Sequence, residues 1–264
     1  MNREKLAIGV FDSGMGGLTV LRALRALLPQ ENFVYLGDTA RLPYGTKSSD
    51  TVKQYATQMT KVLVEHQIKA LVIACNTATT AALTHLQELY TDIPVIGVVK
   101  PGAKSAARIT ENKKVLVLAT ETTIASKAYH QAIQAYLPDV EVSGKACSLL
   151  VALAEEGVVE HELTRATLQH YLKDLSDQDT ILLGCTHFPV FHNDLHQLFP
   201  NVHIVDSATA TAEMLEDALK DNKNPQEKGK TTYLVTDAIE RFCRVGKIFL
   251  GVTIEPHQVT LIDA

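Results

Sequence analysis

The sequence has no tryptophan, only 6% aromatic residues and no dominance of one charge: 25 Lys and Arg stand against 30 Asp and Glu, a formal net charge of −5. A basic face for nucleic acid or an anionic bilayer is therefore missing, because such partners are held by clustered Lys and Arg. No apolar run approaches the roughly 18 residues that a membrane-spanning helix needs. Met1–Lys5 leads straight into the strand-like Leu6–Phe11, without the apolar core of a signal peptide. These absences lead to the expectation of a cytoplasmic protein that acts on a small molecule, with neither nucleic acid nor membrane as partner.

Cysteine is also scarce. The four, at positions 75, 147, 185 and 243, lie 72, 38 and 58 residues apart, so no C-x-x-C metal or redox pair exists. In a reducing compartment they are four free thiols. Nor is there a nucleotide fingerprint: in Gly14-Met15-Gly16-Gly17 the third glycine of G-x-G-x-x-G is replaced by Thr19, and no Lys-Ser/Thr pair follows. His187, His192 and His196 lack the glutamate of H-E-x-x-H, which leaves His192 and His196 as the face of a solvated helix. No metal and no cofactor is expected.

What is present is an ordinary α/β composition, 46% hydrophobic and 21% charged over 264 residues, enough for one large or two compact domains. Apolar strand-length runs each end in a small or polar cluster that opens a helix-like segment, the alternation of parallel βα units. Leu6–Phe11 leads into Asp12-Ser13-Gly14, Ala70–Ala74 into Cys75-Asn76-Thr77, Val115–Ala119 into Thr120, and Ile181–Gly184 into Cys185-Thr186-His187. Further strands are predicted at Phe33–Leu36, Val95–Val98, Val140–Val142, His203–Val205 and Tyr233–Val235. Helical periodicity is clearest for Leu18–Leu28, Ser49–His66 and Leu163–Leu175. Asp12 and Cys75 are 63 residues apart and Thr120 and Cys185 are 65 apart, which suggests two similar α/β halves. The polar stretch Lys220–Lys230 reads as a solvated loop, and Glu155-Glu156 as the solvent face of a helix ending at Gly157.

In open parallel sheets, ligands bind at the carboxyl ends of strands, where helix N-termini offer unpaired N–H groups. Cys75 and Cys185 both stand there. A single free cysteine is more often a small buried hydrophobe, but two in matching settings suit a reaction that needs an acid/base group on each face of one carbon. Racemisation is such a reaction: a proton leaves one face and another returns to the opposite face. A thiolate hydrolase would need only one thiol. Asp12 and His187 are the expected assistants, although Asp12 could equally be a helix N-cap and His187 a loop hydrogen bond. The glycine turn reads as backbone brought close to a small carboxylate. Cys147 and Cys243, without such flanks, are assigned to structure. A module that only binds a small carboxylate remains the reading from outside the enzymes.

The blocks Phe11-Asp12-Ser13-Gly14-Met15-Gly16-Gly17-Leu18, Leu42-Pro43-Tyr44-Gly45, Ala74-Cys75-Asn76-Thr77-Ala78-Thr79 and Leu183-Gly184-Cys185-Thr186-His187-Phe188-Pro189 resemble, in order and across essentially the whole chain, the glutamate racemases of the aspartate/glutamate racemase family. The resemblance implies cytoplasmic, PLP-independent isomerases that convert L-glutamate to D-glutamate for peptidoglycan, the cell-wall polymer. It implies two similar flavodoxin-like α/β domains with parallel central sheets, related by a pseudo-two-fold, with the active site in the cleft between them. Residues 1–97 plus 208–264 would form the first domain and 98–207 the second. Cys75 and Cys185 would be the catalytic thiols, Cys75 for the D-enantiomer and Cys185 for the L-enantiomer, assisted by Asp12 and His187. Asp12-Ser13, Tyr44-Gly45, Asn76-Thr77 and Thr186-His187 would bind substrate together with the thiols, and Pro43 and Thr120 complete that set. A homodimer is expected. The alternative substrate is aspartate or another small acidic amino acid. One departure stands out: Lys100-Pro101-Gly102-Ala103 has a lysine where an acidic residue is expected, with possible effects on local packing, the domain interface or regulation.

Overall fold

The computed structural model describes residues 3–220 and 222–263; Asp221 of the polar stretch lies outside them. In chain order the regular elements are β1 (Ala7–Asp12), α1 (Leu18–Leu27), β2 (Phe33–Gly37), α2 (Ser49–Glu65), β3 (Ile68–Ile73), α3 (Asn76–Leu89) and β4 (Val95–Gly97). There follow α4 (Val99–Ile109), β5 (Lys114–Ala119), α5 (Glu121–Ala125), α6 (Ala128–Tyr136), β6 (Glu141–Ala146), α7 (Ser148–Glu155), α8 (Glu162–Leu172) and β7 (Thr180–Gly184). The chain continues through α9 (His192–Leu198), β8 (His203–Val205), α10 (Ala208–Ala218), β9 (Thr231–Val235), α11 (Ile239–Leu250) and β10 (Val259–Leu261).

Central strands of a parallel sheet are covered on both faces and so read as unbroken apolar runs. β2, β3 and β7 are buried along their full length. The strands assemble into two sheets in which every pairing is parallel: β10-β9-β2-β1-β3-β4 and β6-β5-β7-β8. Both contain the same order, second-first-third-fourth, so each has a switch point between its first and third strands where the chain reverses its direction of winding. In the first sheet that point lies between β1 and β3; in the second it lies between β5 and β7. The expected α/β class with two parallel sheets is what forms, and the late strands β9 and β10 return to extend the first sheet beyond β2.

The largest apolar cluster joins the two sheets. It runs from Leu18, Leu21 and Phe242 through Leu215 of α10 to Leu118, Leu183 and Phe188. Expected elements differ at their ends for local reasons. β4 stops at Gly97 because Val98 already has helical dihedrals and caps α4. β6 extends to Ala146, well beyond the expected Val142, because an edge strand tolerates the polar Ser143-Gly144-Lys145.

The stretch 222–230 has no helix or strand, as expected, but it is not simply solvated. Lys69 and Glu31 form a fully buried ion pair at 2.7 Å. Lys69 Nζ also donates to the carbonyls of Glu4 and Asn222, and Glu31 Oε1 accepts from the backbone N–H of Asn224. The loop thus closes over a buried charge pair that would otherwise lack part of its hydrogen bonding.

Candidate active site

Four strand ends converge at the two switch points: Asp12 ends β1, Cys75 follows β3, Thr120 follows β5 and Cys185 follows β7. The small pocket between the sheets is lined by Ser13, Pro43, Tyr44, Gly45, Cys75, Asn76, Thr77, Thr120, Cys185, Thr186 and His187. These are all the expected substrate-contacting residues except Asp12. Gly14, Leu42, Val151 and Glu155 complete the wall. Asp12 is fully buried behind the glycine turn, with Oδ2 accepting from the N–H of Gly14 at 3.1 Å.

Cys75 is the N-cap of α3, and its sulfur accepts from the N–H of Ala78 at 3.4 Å. The Ser13 hydroxyl is 3.6 Å from the same sulfur. Burial pushes the Cys75 thiol up to about 12, Asp12 adds to the rise, and the Ala78 and Ser13 hydrogen bonds oppose it without prevailing. The resting group is therefore a neutral thiol, the form that donates a proton. Burial likewise raises the Asp12 carboxyl, against the charge of His187 and the N–H groups of Gly17 and Gly14.

Cys185 has a different neighbour. Its sulfur is 3.7 Å from Nδ1 of His187, whose Nε2 lies 2.6 Å from Oε1 of Glu155. Burial disfavours the imidazolium, but the hydrogen bonds and charges of Cys185 and Glu155 outweigh it and hold His187 well above its ordinary value. The two thiols of one pocket thus have different neighbours: a hydroxyl and a backbone N–H beside Cys75, an imidazole beside Cys185.

Glu155 overturns an expectation. It is 4% exposed and faces the pocket, and only Glu156 points to solvent. Glu155 follows Val151 by four residues and so shares its inward face, a spacing that could have revealed it. The helix ends at Glu155, two residues before the expected Gly157: Glu156 is its C-cap and Gly157 follows with a φ of +73°. His192 and His196 are exposed as expected. Among the described residues no group of three or more His, Cys, Asp or Glu is placed to hold a metal ion, and no helix is long and apolar enough to cross a membrane.

The glycine turn turns out to have a second purpose. A Cβ on Gly16 would fall 2.6 Å from the His187 ring and from the Thr186 hydroxyl, and one on Gly17 would fall 2.5 Å from Asp12. The glycines admit the Asp12, Thr186 and His187 side chains at close range, while Gly14 lines the pocket. Thr19 Oγ1 donates to the carbonyl of Thr186, and Thr186 Oγ1 donates to Asp12 Oδ1, so Asp12 reaches the Cys185 loop as well as Cys75. On the opposite side Thr77 and Thr120 share a hydroxyl contact of 2.8 Å, and Tyr129 donates to Asn76 Oδ1. A side chain at Gly45 would strike Thr120 at 2.5 Å. Asn76 Nδ2 is buried with no protein partner. Lys100 is exposed on α4 and lines a surface groove with Thr80, Thr84 and Tyr136, away from the pocket residues.

The comparisons agree with this geometry. The sequence profile of the Asp/Glu/hydantoin racemase family matches residues 16–215. The glutamate racemase of Geobacter metallireducens is 45% identical over 262 residues, covering 97% of each chain. A Bacillus anthracis glutamate racemase crystal structure superposes with a TM-score of 0.92 at 35% identity, covering 97% of each chain. The Francisella tularensis glutamate racemase in complex with D-glutamate gives 0.91 at 34%, covering 98% of each. An aspartate racemase from Picrophilus torridus, at 18% identity and 0.53, shares the fold alone. Two parallel sheets with one switch-point pocket between them, a full-length likeness to glutamate racemases and the profile match lead to one conclusion: the chain belongs to the Asp/Glu/hydantoin racemase family.

Proposed function

We propose that this protein is a cofactor-independent isomerase that interconverts L- and D-glutamate and supplies the D-enantiomer for peptidoglycan. The observation that carries the reading is the placement of two buried thiols, Cys75 and Cys185, at the equivalent strand ends of two sheets that share one pocket. Substrate binds with its Cα between them. One thiolate takes the α-proton, forming a carbanion-like species, and the opposing thiol donates a proton to the other face; this leaves the first sulfur protonated and the second as thiolate, the form that runs the reverse reaction, and proton exchange with water restores the starting form. Cys185 acts on L-glutamate with His187 beside it, and Cys75 acts on D-glutamate with Asp12 nearby. The free amide donor of Asn76, the Thr77 and Thr186 hydroxyls and the start of α3 are suited to hold carboxylates. Ser13, Pro43, Tyr44, Gly45 and Thr120 complete the wall that encloses the substrate.

Aspartate is the weaker substrate reading, because the likeness to an aspartate racemase extends to the fold only. The finer parts of the proposal are a cytoplasmic homodimer and a division into 1–97 plus 208–264 and 98–207, with the hinge after β4 and before α10. Sedimentation tests the dimer. The deciding experiment incubates each pure enantiomer with enzyme in deuterated water and follows Cα deuteration by NMR together with circular dichroism. Deuterium in the product enantiomer accompanied by loss of optical rotation supports racemisation; ligand binding without exchange refutes it.

A further inference from the structure

A second chamber, about 230 Å³, adjoins the catalytic pocket and shares Leu42, Pro43, Gly45, Thr120, Val151 and Glu155 with it. On its rim stands Arg241, carried by α11, which packs on α1 and β10 of the first sheet's unit. Its guanidinium crosses to α7 of the other unit: Nη2 donates to the carbonyl of Glu155 at 3.3 Å and to Glu156 Oε1 at 3.0 Å, and lies 3.8 Å from Glu155 Oε2. That oxygen is buried and accepts no hydrogen bond, and Arg241 Nε likewise has no partner. The other oxygen of the same carboxylate holds His187. A buried carboxylate oxygen without donors is costly unless a cation stands near it, and here the cation comes from the opposite unit.

We propose that Arg241 is a positioning residue and an interdomain latch: it fixes Glu155 against His187 and, in the same contact, ties α11 to α7 across the rim of the outer chamber. The proposal rests on the racemase reading. The latch couples closure to chemistry, because the contact that joins the units also fixes the partner of the imidazolium beside Cys185. With the units apart, Glu155 would lose its nearest cation other than His187. The groups that act on Glu155 are then His187 from the β7 loop, Asp12 at the end of β1 and Tyr35 on β2, with Glu156 competing for Arg241.

The test measures racemisation from each enantiomer by circular dichroism, with α-deuterated L- and D-glutamate giving isotope effects on kcat/KM. Arg241→Gln is expected to lower kcat/KM about tenfold, the scale of a charge-assisted contact, and equally in both directions because the enantiomers are equal in energy. The isotope effects are expected to move apart: a slower transfer at Cys185 is expressed fully from L-glutamate and masked from D-glutamate. Arg241→Lys should recover most of the loss, and Arg241→Gln added to Glu155→Gln should change the isotope effects no further. Isotope effects left symmetrical in Arg241→Gln, with or without a fall in Tm, overturn the latch while the racemase reading stands. A wild-type enzyme that does not racemise glutamate overturns that reading itself.

Discussion

His187 Nε2 and Glu155 Oε1 lie 2.6 Å apart, both side chains buried, and the opposite ring nitrogen of His187 faces the sulfur of Cys185. One carboxylate on α7 therefore sets the orientation and charge of the imidazole beside one of the two thiols. Cys75 has no such relay; its neighbours are the hydroxyl of Ser13 and the N–H of Ala78. In the proposed two-thiol reaction, the two half-reactions should therefore respond to different substitutions.

Glu155→Gln is the direct consequence. It keeps the shape and removes the charge, so kcat/KM should fall about 10- to 100-fold, the scale at which partners that orient an imidazole act. The primary isotope effect should rise from α-deuterated L-glutamate and fall from the D-enantiomer. His187→Asn should show the same asymmetry, more strongly. Equal changes from both enantiomers would contradict the assignment of this relay to Cys185.

Replacing either thiol separates exchange from inversion. Cys75→Ala and Cys185→Ala should each lower racemisation by about a thousandfold or more, within the range of general acid–base catalysis. Each variant retains one base, so solvent deuterium should enter Cα of one enantiomer only: L-glutamate for Cys75→Ala and D-glutamate for Cys185→Ala. NMR of each enantiomer in deuterated water reads this directly.

Gly16→Ala puts a methyl group where His187 and Thr186 already stand, at 2.6 Å. Overpacking of this kind costs about 1–3 kcal/mol. Both Tm and turnover should fall, whereas Ala at Gly14, where the nearest atom is 3.5 Å away, should be tolerated far better in Tm.

The Lys69–Glu31 pair predicts a stability effect far from the chemistry. Lys69→Met leaves Glu31 buried without its cation and should destabilise by about 3–5 kcal/mol, whereas the apolar double variant Lys69→Met/Glu31→Leu should recover much of that loss. Urea unfolding of the three proteins measures it, and kcat at a temperature below all transitions should change little.

The buried thiols make the fold sensitive to base. Burial pushes Cys147 up to about 12 from an ordinary 9.0, with Lys145 opposing. The unfolded chain ionises this thiol above pH 9 while the folded chain cannot, so the contribution is full below pH 9 and is lost as pH rises toward 12. Tm should fall between pH 8 and pH 10.5 less steeply in Cys147→Ala than in the wild type. Parallel slopes would show that Cys147 carries no such linkage.

Several features were legible in the residues. The unbroken apolar runs Ala70–Ala74 and Ile181–Gly184, each followed directly by a cysteine, marked two buried strands and the thiols at their ends, because a central parallel strand is covered on both faces. The near-equal intervals from Asp12 to Cys75 and from Thr120 to Cys185 correspond to the first-to-third strand interval of two sheets with the same order. Other elements gave weaker signals. The polar edge strand β6 and the short β10 lack that apolar pattern, and α10 and α11 are defined by the cluster they help to join.

The sequence by itself determined the chemistry available at each strand end: which residues are thiols, where the glycines permit close approach, and that parallel sheets would present those residues on one side. Tertiary structure alone decided which groups face one another. Glu155 reads as a surface residue until α7 is packed, and Gly16 reads as a ligand-binding turn until His187 is found against it; Arg241, unmarked in the sequence, meets Glu155 only once α11 and α7 are brought together. The physical reason is that local sequence fixes the direction of a side chain relative to its own helix or strand, whereas charge and hydrogen bonding depend on neighbours that the chain brings together from 32 and 86 residues away.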